Sequence, residues 1–319
     1  MFYIDQTTPE FIAAREEHYR NVRYVIKKKL LGKRFTEAHP KGLSQRISQV
    51  YGIQSQVARY LDNEDNLKKI LIGTPDELDR LKNMFKSKKA VGSIKSLVRY
   101  DSFSDKGESG TFRFYNGFHL AKNLKQHTCI YCNRAYTSTI ITDKNEFVAR
   151  PTFDHWFPQS KFPILALSFY NLIPSCSVCN STLKGATQFA IDDVFHPYFR
   201  HADSNKQLNF RFSYDLEDYV RAKSTIITKN SFSQQSVEAM KLAEIYSVHA
   251  EDIREMIYLK LAYTQSYIQS LNSILRGFVL TSEEVYRLAF GVYFEDDKLH
   301  TRPLSKLKKD ILIELGIVK

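Results

Sequence analysis

Four cysteines are all that the chain contains, and they stand in two pairs, Cys129-Ile-Tyr-Cys132 and Cys176-Ser-Val-Cys179. Two residues between thiols let both sulfurs turn toward one point, so two such pairs suit a tetrahedral Cys₄ zinc site. The pairs are 43 residues apart, which is long for a minimal zinc ribbon and long enough to hold an inserted functional loop. Two disulfides or a redox C-x-x-C are the alternatives. No secretory signal is visible, and redox pairs do not usually come in twos that use every cysteine, so structural zinc is the expectation. The metal would replace a core that this short polar stretch cannot build, and its loss should unfold the stretch locally.

Between the pairs lie Phe153-Asp154-His155-Trp156-Phe157-Pro158 and Phe169-Tyr170-Asn171-Leu172-Ile173-Pro174. In an extended segment Asp154 and His155 point to opposite sides. That suits two jobs, with Asp154 facing a metal and His155 facing a water. Phe147 to Phe153 reads as a strand, and with Tyr136–Ile141 and the turn at Asp143-Lys-Asn145 it suggests a hairpin. Asn171 sits on or near a second short strand. Asn180 follows the last cysteine, and Ser177 to Lys184 can form a short helix stopped by Gly185. The order is strand, loop, strand, helix, with a cysteine pair at each end.

The pattern C-x-x-C, D-H-x-x-P-x-S, N-L-I-P-x-C-x-x-C-N-x-x-x-K-G resembles the HNH endonucleases, whose active site is the ββα-metal fold. The resemblance spans residues 127–200 and includes Phe195-His196-Pro197. Tyr115–Lys125, Cys132-Asn-Arg-Ala-Tyr136 and, more weakly, Arg302–Asp310 also look like the bacterial HNH proteins found near anti-phage genes, of which the Septu-type nuclease subunit is one. The resemblance implies that His155 is the general base taking a proton from the attacking water. It implies that Asp154 holds a divalent cation such as Mg²⁺, Mn²⁺ or Ni²⁺. Asn180 stands at the third motif position, where many relatives have a ligating histidine, and Asn171 orients His155 or braces the loop. An aspartate at the first position and an asparagine at the last depart from the commonest pattern, and the second weakens the metal site. The resemblance also implies phosphodiester hydrolysis, DNA more than RNA, a role in anti-phage defence, and an ATPase partner that controls cleavage.

General chemistry agrees. A phosphodiester is anionic and its leaving oxygen needs charge stabilisation, which a hard cation on carboxylate and amide oxygens supplies. A histidine is a suitable base near neutral pH. Lys184, about a helical turn beyond Asn180, could contact a flanking phosphate or be a solvated helix end. Asn171 could simply brace a turn. His127 and Arg134 flank the first cysteine pair as surface groups or substrate contacts, and His196 reads as structural beside Pro197. An RNA nuclease on the same site and a non-catalytic zinc module that binds nucleic acid are the rival functions.

The elements around this stretch read as helical. Of 319 residues, 43% are apolar, enough for a core. No run approaches a membrane span, and thiols used for zinc fit the cytoplasm. Net charge is +11; residues 1–50 hold ten basic against five acidic residues and 51–100 ten against six, so the first hundred carry +9. A basic region ahead of a nuclease core is a plausible phosphate-binding surface. No phosphate-cradling G-x-x-x-x-G-K-[ST] loop is present, so ATPase activity would come from another chain.

Thr8-Pro9-Glu10 opens a helix expected over 8–31, with apolar residues at helical spacing. Further helices are expected over 43–61, from Thr74 to about Phe85, over 117–126, from Ser233, over 250–275, from Thr281 to Phe290, and over 304–315. A helix-turn-helix around Gly52–Ser55 is a minor alternative. Residues 101–111 read as a loop, and Asn209–Tyr214 and Thr225–Thr228 as paired strands. The expected fold is α+β: a basic helical region (1–112), a zinc-stapled ββα-metal core (113–200) and a mainly helical region (201–319).

Overall fold

A computed structural model of the chain describes residues 1–105, 110–216, 222–262, 270 and 290–317. The fold is α+β, with helices and, among the described residues, three separate two-stranded antiparallel sheets. Buried apolar side chains from the N-terminal helices, the cysteine-bounded stretch and the C-terminal elements form one contiguous core. No helix among the described residues is long and apolar enough to cross a membrane.

Helix α1 (Pro9–Leu31) begins where expected, because Thr8 accepts a hydrogen bond from the Phe11 amide and Pro9 presets the first helical dihedral. It buries Phe11, Ala14, Val22, Val25, Ile26 and Leu30 against α3 (Glu64–Ile72) and α7 (Gly117–Leu124). It ends at Gly32, whose φ of +59° and lack of a Cβ let the Gln49 side chain lie against it.

The helix expected over 43–61 forms only as α2 (Ser55–Asp62). Residues 43–54 run without regular structure, because tertiary hydrogen bonds replace the helical ones. The Val50 amide donates to the Lys29 carbonyl (2.8 Å), Gln49 Nε2 to Leu30 (3.3 Å), and Gln45 Nε2 to Gly110 and Thr111 (both 2.9 Å). No helix precedes the Gly52–Ser55 turn, so it is not a helix-turn-helix. The next helices are α4 (Pro75–Leu81), shorter than expected, α5 (Lys88–Leu97) and α6 (Tyr100–Ser104), a short helix where a loop was expected.

Strands β1 (Ile140–Ile141) and β2 (Phe147–Ala149) form the expected hairpin, but it stops short of Phe153. Pro151 has no amide to donate, and β3 (Thr152–His155) leaves to pair with β4 (Leu172–Ser175). A π-helix, Val178–Lys184, follows β4 and ends at Gly185 (φ +50°) with the Gly185 amide on the Asn180 carbonyl (2.8 Å).

Strands β5 (Phe210–Leu216) and β6 (Ala222–Thr228) pair in register from Phe210↔Thr228 to Leu216↔Ala222. Helices α8 (Ser231–Ala239), α9 (Leu242–Tyr246) and α10 (Ala250–Ala262) follow. Of the expected 250–275 stripe, Ile253 and Met256 are buried, whereas Leu261 is exposed. Ile257 is half-buried against the core, while Tyr267, Ile268, Leu271, Ile274 and most of the Thr281–Phe290 helix lie outside the described residues. Helix α11 (Ser305–Glu314) packs on β5, where Asp310 accepts from the Phe212 amide (2.9 Å).

Candidate functional site

The four cysteine sulfurs lie within 4.8 Å of one another, with Cys132 Sγ and Cys176 Sγ 3.9 Å apart. A tetrahedral zinc with Zn–S bonds of about 2.3 Å places its sulfurs about 3.8 Å apart, so the cluster fits that ion. Each pair sits in a tight turn. The Asn133 amide donates to the Cys129 carbonyl (2.8 Å) and the Arg134 amide points at Cys132 Sγ (3.4 Å). In the second turn the Asn180 amide donates to the Cys176 carbonyl (3.0 Å) and the Cys179 amide points at Cys176 Sγ (3.5 Å). The cysteines form no disulfide. Burial pushes the Cys129 thiol up, while hydrogen bonds from the other thiols hold Cys176 down. Four sulfurs this close cannot all ionise beside one another without a cation between them. Among the described residues this is the one cluster of three or more metal-ligating His, Cys, Asp or Glu side chains.

The turns are fastened to the rest of the chain by Asn133. Its backbone sits at φ +53°, a conformation that asparagine tolerates. Its Nδ2 donates to Thr128 Oγ1 (2.9 Å) and to the carbonyls of Leu299 and Arg302 (both 3.1 Å), and its Oδ1 accepts from the Lys306 amide (3.2 Å). Its carbonyl accepts from the Leu304 amide (2.7 Å).

The strand pair β3–β4 and the π-helix lie between and beside the two cysteine turns, with Asp154 opposite Ile173 and His155 opposite Leu172. His155 is buried, keeping 8% of its surface exposed. Its Nε2 lies 2.9 Å from the Ala166 carbonyl, an oxygen that can only accept, so Nε2 carries the proton and Nδ1 the lone pair. Nδ1 makes no hydrogen bond with the described residues. Tyr100 packs edge-on against the ring, centroids 4.3 Å apart. Burial pulls the His155 pKa down to about 4, so the ring is neutral at pH 7.

The Ala166 carbonyl is held from three sides. Asn171 accepts from the Phe157 amide (2.6 Å) and donates to the carbonyls of Phe157 (3.1 Å) and Leu165 (2.9 Å), which braces the loop. His18 of α1 donates from Nε2 to Leu167 (2.8 Å), and Ser168 donates to Ile70 of α3 (2.5 Å). The N-terminal helices thus set the loop that orients His155.

Asp154 faces the other way, as strand alternation requires, and is 1% exposed. Its Oδ2 accepts from the Tyr131 hydroxyl (2.6 Å), and its Oδ1 lies 3.2 Å from Lys184 Nζ. Lys184 is also buried and donates to the His155 carbonyl (2.7 Å). It is neither a solvated helix end nor an exposed phosphate contact. Burial pushes the Asp154 carboxyl up and the Lys184 ammonium down, and their mutual attraction opposes both shifts. Asn180 stands half-buried on the π-helix, and its side chain makes no hydrogen bond with the described residues.

The other flagged residues lie apart from these. His127 is on the surface beside Ser138, Arg134 donates to His249 Nε2 (2.8 Å), and His196 is buried against Trp156. Sequence reasoning missed Tyr131, Asn133, Tyr100 and the Ala166 carbonyl. The first two stand inside or directly after the first cysteine pair, a signal that was there to be read. A backbone carbonyl and an edge-on ring leave no trace in a sequence. No protein-family model, curated protein or solved structure matches the chain.

Proposed function

We propose that the chain is a metal-dependent HNH endonuclease that hydrolyses phosphodiester bonds, in DNA more than in RNA. The observation that carries this reading is the setting of His155. It ends the first of two paired strands, a short helix follows the second, one cysteine turn precedes the unit and the other joins the second strand to the helix. The imidazole has its Nε2 committed to Ala166 and its Nδ1 left for another proton. A neutral imidazole so fixed can take a proton from a water attacking phosphorus. A divalent cation on the Asp154 carboxylate and the Asn180 amide oxygen would stabilise the phosphate oxygens, but Asp154 is 1% exposed with its oxygens on Tyr131 and Lys184, so such an ion would have to displace Lys184. Lys184 keeps a positive charge against Asp154 in the present arrangement. An unregulated nuclease would harm its host, so the reading includes an outside trigger or partner that limits cleavage in the cell, with an ATPase in anti-phage defence as the implied setting, while the isolated chain keeps a basal cutting activity.

The deciding experiment incubates the chain with plasmid, single-stranded DNA, ribosomal RNA and transfer RNA, with and without Mg²⁺ or Mn²⁺. Metal-dependent cleavage should fall by about 100-fold or more in His155→Ala, in a chain that still folds but melts lower because the buried ring and its bond to Ala166 are lost. Cleavage of RNA alone moves the substrate class. A wild-type chain that cuts nothing, or a variant that cuts equally well, removes the nuclease reading.

A further inference from the structure

A second feature lies on the N-terminal helical region, away from the cysteines. A cavity of about 880 Å³ opens between the irregular segment 44–50, the C-terminal end of α5 and residues 110–114. Five cations line it: Lys29, Arg46, Lys95, Arg99 and Arg113. No carboxylate does so among the described residues. Elsewhere on α1, Arg23 is paired with Glu37 (2.6 Å) and Glu64 (2.7 Å), and Lys27 with Asp62 (3.1 Å) and Glu64 (2.9 Å). In the cavity, Arg46, Lys95, Arg99 and Arg113 form no ion pair and no side-chain hydrogen bond with the described residues.

Lys29 is buried, and its ammonium meets only the carbonyls of Leu97 (3.0 Å) and Ser96 (3.4 Å). Burial, and then the charge of Arg99, pull its pKa down to about 8, which is the behaviour of a cation lacking a counter-charge. The cavity wall is built rather than a loose loop, since the bonds of Gln45 and Val50 described above tie segment 44–50 at both ends. Its one aromatic, Phe114, is half-buried and already packs on His39 and under Arg113. The lining therefore offers charge for oxyanions and no free ring on which a base could stack. Arg99 directly precedes Tyr100, the ring that packs on His155.

We propose that this cavity binds the backbone phosphates of the nucleic-acid strand that His155 cuts, as a sequence-independent clamp. The cutting clause rests on the nuclease reading above; the binding clause stands on the cavity. Free nucleoside polyphosphates carry the same oxyanion chemistry and are the other source of ligand.

The test uses the full chain carrying His155→Ala, with zinc bound and no other divalent metal, and fluorescein-labelled single- and double-stranded oligonucleotides followed by anisotropy over a salt series. Arg46→Ala, Lys95→Ala and Arg113→Ala are combined and compared with a triple variant of equal charge, Lys68→Ala, Lys86→Ala and Lys229→Ala. All six side chains are exposed, so both variants should fold. The cavity variant should bind at least about tenfold more weakly than the control, and its slope of log K against log salt should shrink by about 2 to 3. Equal binding by the two variants overturns the proposal. So does ATP binding, by calorimetry, that the cavity variant loses while strand affinity stays put. Cleavage by the wild type is scored apart: its absence removes the nuclease reading and leaves the strand-binding clause to the anisotropy result.

Discussion

Asp154 and Lys184 face each other where water does not reach, and that placement decides what each can do. Removing both charges from water is costly, and one close contact plus the hydrogen bonds from Tyr131 and to the His155 carbonyl offset the cost. Taking away one partner strands the other. Lys184→Met is therefore expected to destabilise the chain by about 3–5 kcal/mol in urea unfolding, and adding Asp154→Asn should restore a large part of it. An unchanged unfolding midpoint in the single variant would mean the pair is absent in solution. The spacing from Asn180 to Lys184 suggested one helix face open to a phosphate. The observed i→i+5 turn stacks different residues from an α-helix, and it delivers Lys184 inward instead.

At the scale of elements, the cysteine turns are expected to hold one zinc and through it the strand pair. Cys129→Ser should lose the metal, measured by chromophoric chelator titration, and melt at a lower temperature. Asn133→Ala is the discriminating partner variant. It should keep the zinc, because its sulfur neighbours are untouched. It should nonetheless lose about 2–4 kcal/mol, because several buried hydrogen bonds to the 299–306 segment vanish together. A Cys129→Ser chain of full stability would refute the zinc site, and an Asn133→Ala chain of full stability would refute the linkage. The loop carrying Ala166 shows the same dependence on remote elements. His18 lies 149 positions from Leu167 in the chain, and Ile70 lies 98 from Ser168.

Over the whole molecule, burial of neutral histidines ties stability to pH. Burial pulls His18 to about 4 and His196 to about 3, against about 6.5 in an unfolded chain. Both are neutral when folded and take up a proton on unfolding below about pH 6.5, so the unfolded state binds more protons there. Their contribution is complete above pH 6.5 and is lost as pH falls toward 4, at about 1.4 kcal/mol per pH unit for each. Urea unfolding between about pH 7 and pH 5, with zinc in excess, should show that decline; a flat profile would contradict it. The local features were legible in the order of residues: two C-x-x-C turns, the Thr8-Pro9 start of α1, the alternation of β5, and the opposite facing of Asp154 and His155. Each depends on neighbours a few positions apart, which the sequence lists directly. The irregular course of 43–54, the inward Lys184, the carbonyl on His155 and the unpaired cations of the cavity are contacts between distant segments. Only the packed chain decides those, because their energies depend on which remote groups burial brings within reach.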